Sequence, residues 1–368
     1  MTNVERVGAR AYRVPTPGPE ADGTLAWDGT TIVVVRVHAG GAVGLGWTYA
    51  DAACVPLIAR TLAPVVVGRP VLEVPARWTD MRRQLRNLGR PGLVSCALSA
   101  VDVALWDLAA RLLGVPVATL LGRVHPWVAL YGSGGFTTQT EAELADQLDT
   151  WVHKRQIPRV KIKIGESWGT AESRDLARVR AARSVIGPEA ELYVDANGGY
   201  PVGQARRVAR ALEEHDVRWF EEPVSSDDLA GLATVRASTG IDVTAGEYGY
   251  DLPYFARMVP SVDCLQVDVT RCGGFTEWRR VAAVAAAANL DVSAHCAPNL
   301  SAHAAVATQN MRHLEWFADH DRIEAEFFDG ALDPAGGSVT PDPGAPGLGL
   351  AFNEGDVEHY AITGEERS

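Results

Sequence analysis

Three acidic residues stand at the ends of consecutive strand-like segments in the middle of the chain. They are Asp195, Glu221 and Glu247. Carboxylates that converge within a few ångströms repel one another strongly in a low-dielectric site, so a cation must hold them together. A hard divalent ion with oxygen ligands, Mg²⁺ above all, suits this donor set. The spacing therefore predicts a Mg²⁺ site, against the plainer interpretation that each acid caps a helix or pairs with a surface base.

A lysine pair precedes these acids, at Lys161 and Lys163. Residues two apart on a strand point to the same face, and the apolar neighbours Val160, Ile162 and Ile164 would point to the other. The two ammonium groups, roughly 7 Å apart along the strand, should lower each other's pKa. A lysine brought toward neutrality can act as a general base. The pattern favours an interior catalytic lysine over a solvated pair on an edge strand.

An aspartate and a histidine lie near the ends of the next two strands, at Asp268 and His295, and Glu315 follows on the eighth. A carboxylate that accepts a hydrogen bond from one ring nitrogen fixes the tautomer and raises the basicity of the other nitrogen. Together the pair predicts an acid–base dyad, although either residue alone would more often be structural. No role is assigned to the other histidines on helices or loops, such as His153, His215 and His320.

The elements that position these residues alternate along the chain from Trp127 onward. Eight short apolar runs are predicted strands: Val128–Gly134, Arg159–Gly165, Glu191–Asn197, Arg218–Pro223, Val243–Glu247, Cys264–Thr270, Asp291–Cys296 and His313–Ala318. Seven helical patterns fill the gaps, at about 142–155, 170–186, 202–215, 228–238, 251–260, 275–289 and 300–310. This alternation over about 190 residues predicts parallel βαβ units closed into an α/β barrel. No eighth helix is evident before the Gly/Pro-rich tail at 336–349.

The first 125 residues have a different pattern. The runs Thr31–His38 and Ala42–Tyr49 predict a β-hairpin, and the glycines at 40, 41, 44 and 46 indicate a turn instead of a nucleotide-binding loop, because no helix follows them. A helical segment from Leu93 to Leu113 ends at Gly114. We therefore predict three parts: an α+β module (1–125), the barrel (126–325) and a C-terminal segment that returns to the first module (326–368).

The composition limits the classes of partner. The 368 residues carry a formal net charge of −12, which argues against a nucleic-acid-binding surface. Five cysteines are scattered and odd in number, which predicts buried free thiols and a reducing, cytoplasmic location. The N-terminus lacks an apolar core of signal-peptide length, and the apolar run at 281–288 is too short to span a bilayer. We expect a cytoplasmic protein with a small-molecule substrate and without nucleic-acid or membrane partners.

These motifs together resemble those of the enolase superfamily, and more narrowly of its mandelate racemase subgroup. The matching segments are KIK at 161–163, VDAN at 194–197, FEEP at 220–223, GE at 246–247, VDVTRCGG at 267–274, SAH at 293–295 and LE at 314–315. The segment ALSAVDVALWDLAARLLGVPVATLLG at 97–122 is similar to the capping-domain signature of that superfamily. The resemblance covers roughly residues 5–355. It implies an α/β fold in which an α+β capping domain covers a modified (β/α)7β barrel.

The resemblance also implies how the site is divided into roles. The three acids would bind Mg²⁺. Lys163 and His295 would stand on opposite faces of the substrate, with Asp268 orienting His295 and Lys161 keeping the pKa of Lys163 low. Glu315 would hydrogen-bond a substrate carboxylate oxygen on the side away from the metal.

Substrate contacts and assembly are further implications of the resemblance. Asn197 would contact the substrate or the surroundings of the metal, and homo-oligomers, dimers or octamers, are common in the family. We expect specificity to come from the capping domain, where a loop at 15–28 contains Trp27 and the segment 87–92 contains Arg90. Trp27 could equally be a packing residue under a lid, and Arg90 a surface residue.

The reaction implied is removal of the proton next to a carboxylate, giving an enediolate whose charge the metal and Glu315 would stabilise. If His295 then protonates a β-hydroxyl, an acid sugar is dehydrated to a 2-keto-3-deoxy acid, which is the expected activity. If His295 protonates the opposite face of the carbon, a 2-hydroxy acid is racemised or epimerised. Cycloisomerisation is expected less, because in that subgroup a later lysine replaces the His–Asp dyad. A non-catalytic protein that binds metal and acid is the alternative of another class.

Overall fold

The N-terminal part of the chain is built around an antiparallel sheet with the strand order β15-β1-β2-β3. We analysed a computed structural model that describes residues 2–367. The strands are β1 (Arg6–Ala21), β2 (Ala26–Ala39), β3 (Ala42–Tyr49) and the C-terminal β15 (Ala361–Arg367). The predicted hairpin is confirmed as β2 and β3, which pair from Ile32↔Tyr49 to Ala39↔Ala42.

The prediction of a loop at 15–28 is wrong, because most of this segment is a β-ribbon. Strands β1 and β2 stay paired to Ala21↔Ala26, with a register shift between Pro15 and Glu20. The alternating prolines in this segment are typical of loops. A bulge tolerates them because the ladder is interrupted there, so the missing N–H group of proline costs no backbone hydrogen bond. The tip of the ribbon packs on the barrel loops, where Ala21 and Gly23 accept the N–H groups of Thr137 and Trp168.

Helices cover one face of this sheet. They are α1 (Cys54–Leu57), a π-helical turn (Ile58–Leu62), α2 (Ala63–Val66), α3 (Val74–Gln84), a 3-10 turn (Leu85–Asn87), α4 (Leu93–Leu113) and α5 (Val117–Leu121). In the described residues, α4 is the one helix long and apolar enough to cross a membrane by length and composition, but 89% of its apolar window is buried in the protein. It is the core helix of the module.

Strand β3 approaches α4 very closely at Gly44 and Gly46. A Cβ atom on Gly46 would collide with the carbonyl oxygen of Ala100, and one on Gly44 with that of Ala104. Of the four glycines at 40, 41, 44 and 46, only the first two have positive φ, and they form the turn between β2 and β3. The four glycines thus serve a turn and a close backbone contact.

Eight parallel strands form the closed barrel that the sequence predicts. They are β4 (Val128–Ser133), β5 (Arg159–Lys163), β6 (Glu191–Asp195), β7 (Val217–Glu221), β8 (Asp242–Ala245), β9 (Cys264–Val267), β10 (Asp291–Ala294) and β11 (Met311–Phe317). The strands are hydrogen-bonded in sequence order, and pairing of β11 with β4 closes the ring. The fold class, an α/β barrel with an α+β capping module, is therefore confirmed.

The barrel helices lie between these strands. They are α6 (Glu141–Asp149) with a π-helical turn (Thr150–Lys154), α7 (Glu172–Ile186), α8 (Val202–Glu213), α9 (Leu229–Arg236), α10 (Leu252–Met258) with a 3-10 turn (Val259–Ser261), α11 (Gly274–Ala287) and α12 (Pro298–Val306). The structure adds a helix that the sequence analysis did not find, α13 (Ala318–Phe327), directly after β11. Its buried face includes Asp319, His320 and Glu324, so an apolar periodicity is lacking.

The C-terminal tail runs back along both parts of the molecule. Its elements are β12 (Phe328–Asp329), β13 (Ser338–Val339), β14 (Ala351–Phe352), a 3-10 turn (Glu358–Tyr360) and β15. Strand β13 pairs antiparallel with β4 of the barrel, and β15 pairs antiparallel with β1. The part boundaries at 125/126 and 325/326 stay predictions. The five cysteines are buried and free, as predicted.

We predict that Gly46→Ala destabilises the protein by roughly 1–3 kcal/mol or more, because the added methyl group meets backbone atoms of α4 that cannot move aside. Urea denaturation measures the change. Gly203→Ala is the matched control, since an added Cβ there has no atom within 4 Å. Equal stability of both variants would show that β3 and α4 can separate without cost.

Candidate active site

The three predicted metal ligands come together at the carboxyl ends of β6, β7 and β8. Asp195 is opposite Glu221 in the register of β6 and β7, and Glu247 follows the end of β8. One carboxylate oxygen from each lies within 4.8 Å of the others, and all three side chains are buried. Neighbouring parallel strands, about 4.8 Å apart, bring equivalent residues to one level. The register of the barrel therefore creates the carboxylate cluster.

Both lysines of β5 face this cluster. The Nζ of Lys161 donates to Glu221 at 2.6 Å, lies 2.8 Å from Glu315 Oε1 and lies 3.7 Å from Asp195. The Nζ of Lys163 donates to Asp195, its neighbour on β6. Lys161 is fully enclosed, whereas Lys163 reaches the cavity above.

The two lysines were predicted to have lowered pKa values, but in this structure both pKa values are raised. Burial lowers the pKa of Lys163, and Lys161 lowers it further, but the charge of Asp195 raises it above its usual value. Burial likewise lowers the pKa of Lys161, and Glu221 and Glu315 raise it well above the usual value. The lysine–lysine repulsion exists, but the acids that the fold places closer outweigh it.

The predicted dyad is present at the ends of β9 and β10. The Nδ1 of His295 lies 2.8 Å from Asp268 Oδ2, and the other oxygen of Asp268 accepts from the Thr270 N–H and hydroxyl at 2.7 Å. Because Asp268 holds Nδ1, the other ring nitrogen of His295, Nε2, points away from Asp268 and lies 3.3 Å from Glu247 Oε2. Burial lowers the pKa of His295, but the charges of Glu247 and Glu315 and the bond to Asp268 raise it well above its usual value.

Glu315 on β11 is held on both of its oxygens. Its Oε1 accepts from the Ser133 hydroxyl at 2.6 Å and lies 2.8 Å from Lys161 Nζ. Its Oε2 accepts the backbone N–H of Cys296 at 3.1 Å. Burial raises the pKa of Glu315, but Lys161 and His295 lower it below its usual value.

These groups form the floor of a cavity of about 400 Å³ between the barrel and the capping module. Of the predicted site residues, those that line the cavity are Trp27, Lys163, Asn197, Glu247, His295 and Glu315. Lys161, Asp195, Glu221 and Asp268 are buried and do not line it. Lys163 enters from the second barrel strand and His295 from the seventh, so they stand on different sides of the ring.

The two candidate specificity residues have different positions. Trp27 is partly buried, its Nε1 donates to Glu20 at 2.9 Å, and its ring meets Phe136 edge-on at 5.6 Å. It both packs and lines the cavity. Arg90 does not line this cavity; its guanidinium lies 3.5 Å from Asp251, the N-cap residue of α10. Trp27 therefore lies at the cavity and Arg90 outside it, and a substrate contact by either residue stays a prediction.

Sequence reasoning missed three residues that line the cavity. Arg271 Nη1 donates to Glu247 at 3.2 Å, and its Nε lies 3.4 Å from Asp268. Cys296 Sγ lies 3.3 Å from His295 Nε2. His320, which was given no role, stands on α13 and accepts the Ala297 N–H at Nδ1. The first two lie within or beside the matching motifs, where they could have been noticed.

The chemistry of the donor set fits a dication. Six carboxylates are buried at the barrel mouth: Asp195, Glu221, Glu222, Glu247, Asp268 and Glu315. Their permanent cationic neighbours are the two lysines and Arg271. Glu247 Oε2 is buried and accepts no hydrogen bond. Buried charge needs a partner, and Mg²⁺ is a hard cation that prefers oxygen ligands such as these carboxylates.

Comparison with known families agrees with this geometry over both parts of the chain. Residues 143–356 match the family model "Enolase C-terminal domain-like". Residues 11–122 match the model "Mandelate racemase / muconate lactonizing enzyme, N-terminal domain". The chain belongs to the mandelate racemase subgroup of the enolase superfamily. The resemblance found in the sequence motifs is thus confirmed, and the protein is an enzyme of this superfamily.

Individual relatives in this superfamily have related names. The chain is 33% identical to the 3,6-anhydro-alpha-L-galactonate cycloisomerase of Streptomyces coelicolor, over 85% of this chain and 88% of the relative. Further relatives, 27–30% identical, are named as acid-sugar dehydratases. The general superfamily reaction therefore fits, and the relatives include both dehydratases and a cycloisomerase.

Solved structures superpose over the whole chain. A mandelate racemase/muconate lactonizing enzyme-like protein from Rubrobacter xylanophilus is 47% identical with a TM-score of 0.95, covering 98% of this chain and 100% of that one. An L-talarate dehydratase from Polaromonas sp. JS666, complexed with Mg and L-glucarate, is 27% identical with a TM-score of 0.90 over 100% of both chains. The small-acid ligand and the magnesium ion are thus observed in a relative with the same fold.

We predict that Lys161→Met lowers the free energy of unfolding by roughly 3–5 kcal/mol without divalent ions, because it leaves Glu221 and Glu315 buried beside no ammonium group. Urea denaturation in the presence of a chelator measures this. Lys154→Met is the control, since Lys154 forms only exposed ion pairs. A loss no larger than that of the control would contradict the central position of Lys161.

Proposed function

We propose that this enzyme dehydrates a small acid sugar to a 2-keto-3-deoxy acid by removing the proton next to the carboxylate and expelling the β-hydroxyl. The observation that carries the proposal is the placement of Lys163 and His295 on different sides of one cavity, beside the carboxylate cluster. One residue can take a proton from carbon while the other gives a proton to the leaving oxygen. Dehydration needs both residues, the proton acceptor and the proton donor, at the same substrate molecule.

We propose Mg²⁺ as the cofactor, held by Asp195, Glu221 and Glu247. When bound, the ion supplies positive charge next to the substrate carboxylate and so lowers the cost of the negative charge that develops there. The Mg and L-glucarate bound to the Polaromonas relative support this choice of ion and of substrate class.

The chain's own residues divide the proton transfers. Lys163 Nζ accepts the α-proton from one side of the substrate, which requires its ammonium group to lose a proton first, because the charge of Asp195 raises the pKa of Lys163 in this structure. His295 Nε2 donates a proton to the β-hydroxyl, so that the C–O bond breaks, water leaves and a double bond forms between the α- and β-carbons. The product enol then becomes the keto acid. Asp268, 2.8 Å from Nδ1, keeps the His295 ring turned so that Nε2 faces the cavity.

Glu315 and Asn197 complete the proposed substrate site. Glu315 is placed to meet a substrate carboxylate oxygen opposite the carboxylate triad. In this structure its pKa is lowered, because Lys161 and His295 outweigh the effect of burial. Donating a hydrogen bond therefore requires Glu315 to take up a proton when an anionic substrate enters. Asn197, with an unpartnered buried Oδ1, and Trp27 would contact the substrate hydroxyl groups.

Cycloisomerisation is the second candidate, favoured by the 33% identity to the anhydrogalactonate cycloisomerase. The same residues could expel a ring oxygen from the β-carbon, which would open the ring without releasing water. Racemisation would instead return the proton from His295 to the α-carbon. All three outcomes share the first step, so the leaving group on the substrate decides among them.

We also propose a cytoplasmic homo-oligomer.

The shared first step is tested by deuterium exchange. We expect Mg²⁺-loaded protein in D₂O to wash deuterium into the α-position of acid sugars, which NMR detects even for imperfect substrates. Protein treated with a chelator should not exchange. Absence of exchange over a broad library of mono- and diacid sugars would contradict α-proton abstraction.

The same library separates the three outcomes. Keto-acid formation from open-chain acids, detected with semicarbazide, would support dehydration. Keto-acid formation only from lactones or anhydro acids would replace it by cycloisomerisation. Loss of optical rotation without a keto acid would replace it by racemisation.

We predict that His295→Asn lowers the dehydration rate by at least about 10²–10⁴-fold, because the leaving oxygen loses its proton donor. Mg²⁺ affinity, measured by calorimetry, should stay nearly unchanged, since His295 is not among the three ligands. His153→Asn, on an exposed ring, is the control and should keep full activity. Full turnover by His295→Asn would remove this residue from the mechanism.

A further inference from the structure

A second group of metal-ligating atoms lies beside the carboxylate triad, at the ends of β10 and β11. It consists of His295 Nε2, Cys296 Sγ and Glu315 Oε2, all buried and all within 4.8 Å of one another. His295 and Cys296 are adjacent in sequence, and Glu315 joins them through the pairing of β10 with β11. Nitrogen, sulfur and oxygen together make a softer donor set than three carboxylates.

The three separations match the dimensions of a tetrahedral zinc ion. His295 Nε2 lies 3.3 Å from Cys296 Sγ, Cys296 Sγ lies 3.5 Å from Glu315 Oε2, and His295 Nε2 lies 3.6 Å from Glu315 Oε2. Zinc bonds of about 2.3 Å to sulfur, 2.0–2.1 Å to nitrogen and 2.0–2.2 Å to oxygen place tetrahedral ligand atoms about 3.3–3.7 Å apart. The three ligand atoms therefore lie within a few tenths of an ångström of three corners of a zinc tetrahedron.

Each ligand also has the supporting contacts that metal ligands usually have. Asp268 accepts from Nδ1 of His295 at 2.8 Å, which is the carboxylate–histidine–zinc arrangement. Ser133 and Lys161 hold Oε1 of Glu315, and Oε2 accepts the Cys296 N–H with one lone pair and keeps another for the ion. These contacts fix the orientation of both side chains before any metal arrives.

Cys296 is held in place by its backbone. Its N–H donates to Glu315 Oε2 at 3.1 Å, and its carbonyl accepts the Ser301 hydroxyl at 2.7 Å. Cys296 and Ala297 both have left-handed backbone angles, with φ of 49° and 42°. This turn directs the thiol into the site, and all three ligand residues line the cavity, which leaves the fourth corner open.

We propose that His295, Cys296 and Glu315 form a second metal site that binds Zn²⁺ and thereby inhibits the enzyme. Zinc would bind His295 Nε2, the Cys296 sulfur and Glu315 Oε2, and the protons of the thiol and of Nε2 would leave to solvent. Neither His295 nor Glu315 could then serve the substrate. Mg²⁺ would not compete for this site, because thiolate and imidazole are poor ligands for it. Binding stands on geometry alone, whereas inhibition rests on the proposed function.

Cobalt substitution tests the binding without any turnover. Protein saturated with Mg²⁺ is titrated with Co²⁺, followed by Zn²⁺. We expect the near-ultraviolet thiolate-to-cobalt charge-transfer band and the intense visible bands of tetrahedral cobalt, both abolished by Zn²⁺. Cobalt in the carboxylate triad would give no sulfur band, so the band reports Cys296 specifically.

Matched cysteine variants decide the origin of the band. Cys296→Ser should lose it, while Cys54→Ser, another buried thiol far along the chain, should keep it. Circular dichroism checks that each variant folds, and Cys296→Ala replaces the serine variant if that one does not. Absence of the band in the unaltered protein, or its persistence without Cys296, would overturn the proposal.

Inhibition is measured separately, as the rate with Zn²⁺ relative to the same variant's rate with Mg²⁺ alone. Removing the thiolate should weaken inhibition by more than the roughly 10–100-fold that loss of an outer contact costs a metal site. If no substrate is found, the proposed reaction has failed while the cobalt spectrum still decides whether the site exists. Equal inhibition of Cys296→Ser and the unaltered protein would overturn the inhibitory role.

Discussion

The excess of negative charge at the barrel mouth is the constraint on which the rest of the structure depends. Buried carboxylates are costly unless they are paired, and here they outnumber the fixed cations. Lys161 lies at their centre, 2.6 Å from Glu221 and 2.8 Å from Glu315. Because its ammonium group serves acids from two different strands, β7 and β11, the barrel must close in one register for the charges to meet.

The capping module solves a different problem of buried acids. Asp102 of α4 accepts from the N–H and hydroxyl of Thr276 on α11, at 3.0 and 2.6 Å. Asp107 accepts the N–H groups of Leu45 and Leu348, at 2.7 and 2.6 Å. Burial raises the pKa of Asp102 to about 7. Asp102 is satisfied by hydrogen bonds alone, whereas Asp107 also pairs with Arg111 at 2.7 Å. Both acids join the module to other parts of the chain, Asp102 to the barrel and Asp107 to the tail.

The sequence predicts the barrel well because its strands are short, apolar and regularly spaced. The site residues follow, since the ends of parallel strands meet at one edge. What it does not predict depends on tertiary contacts. Helix α13 was not predicted because its buried face carries polar residues, whose hydrogen-bond partners come from distant parts of the chain. Glu324, for example, accepts from Trp47 and Asn299. The raised pKa of Lys161 arises from acids on other strands, and so does the position of Cys296 beside Glu315.

Backbone strain occurs where three of the barrel strands end at the mouth. Asn197, Glu222, Cys296 and Ala297 are non-glycine residues with φ between 38° and 49°, and each lies within three residues of the end of a barrel strand. Such angles cost about 1–3 kcal/mol each and persist only where the surroundings determine them. Here the strain turns the chain sharply, so that side chains beyond the strand end face inward. Since these turns are held by contacts within the protein, the ligand atoms are positioned before substrate or metal arrives, and binding energy need not be used to assemble them.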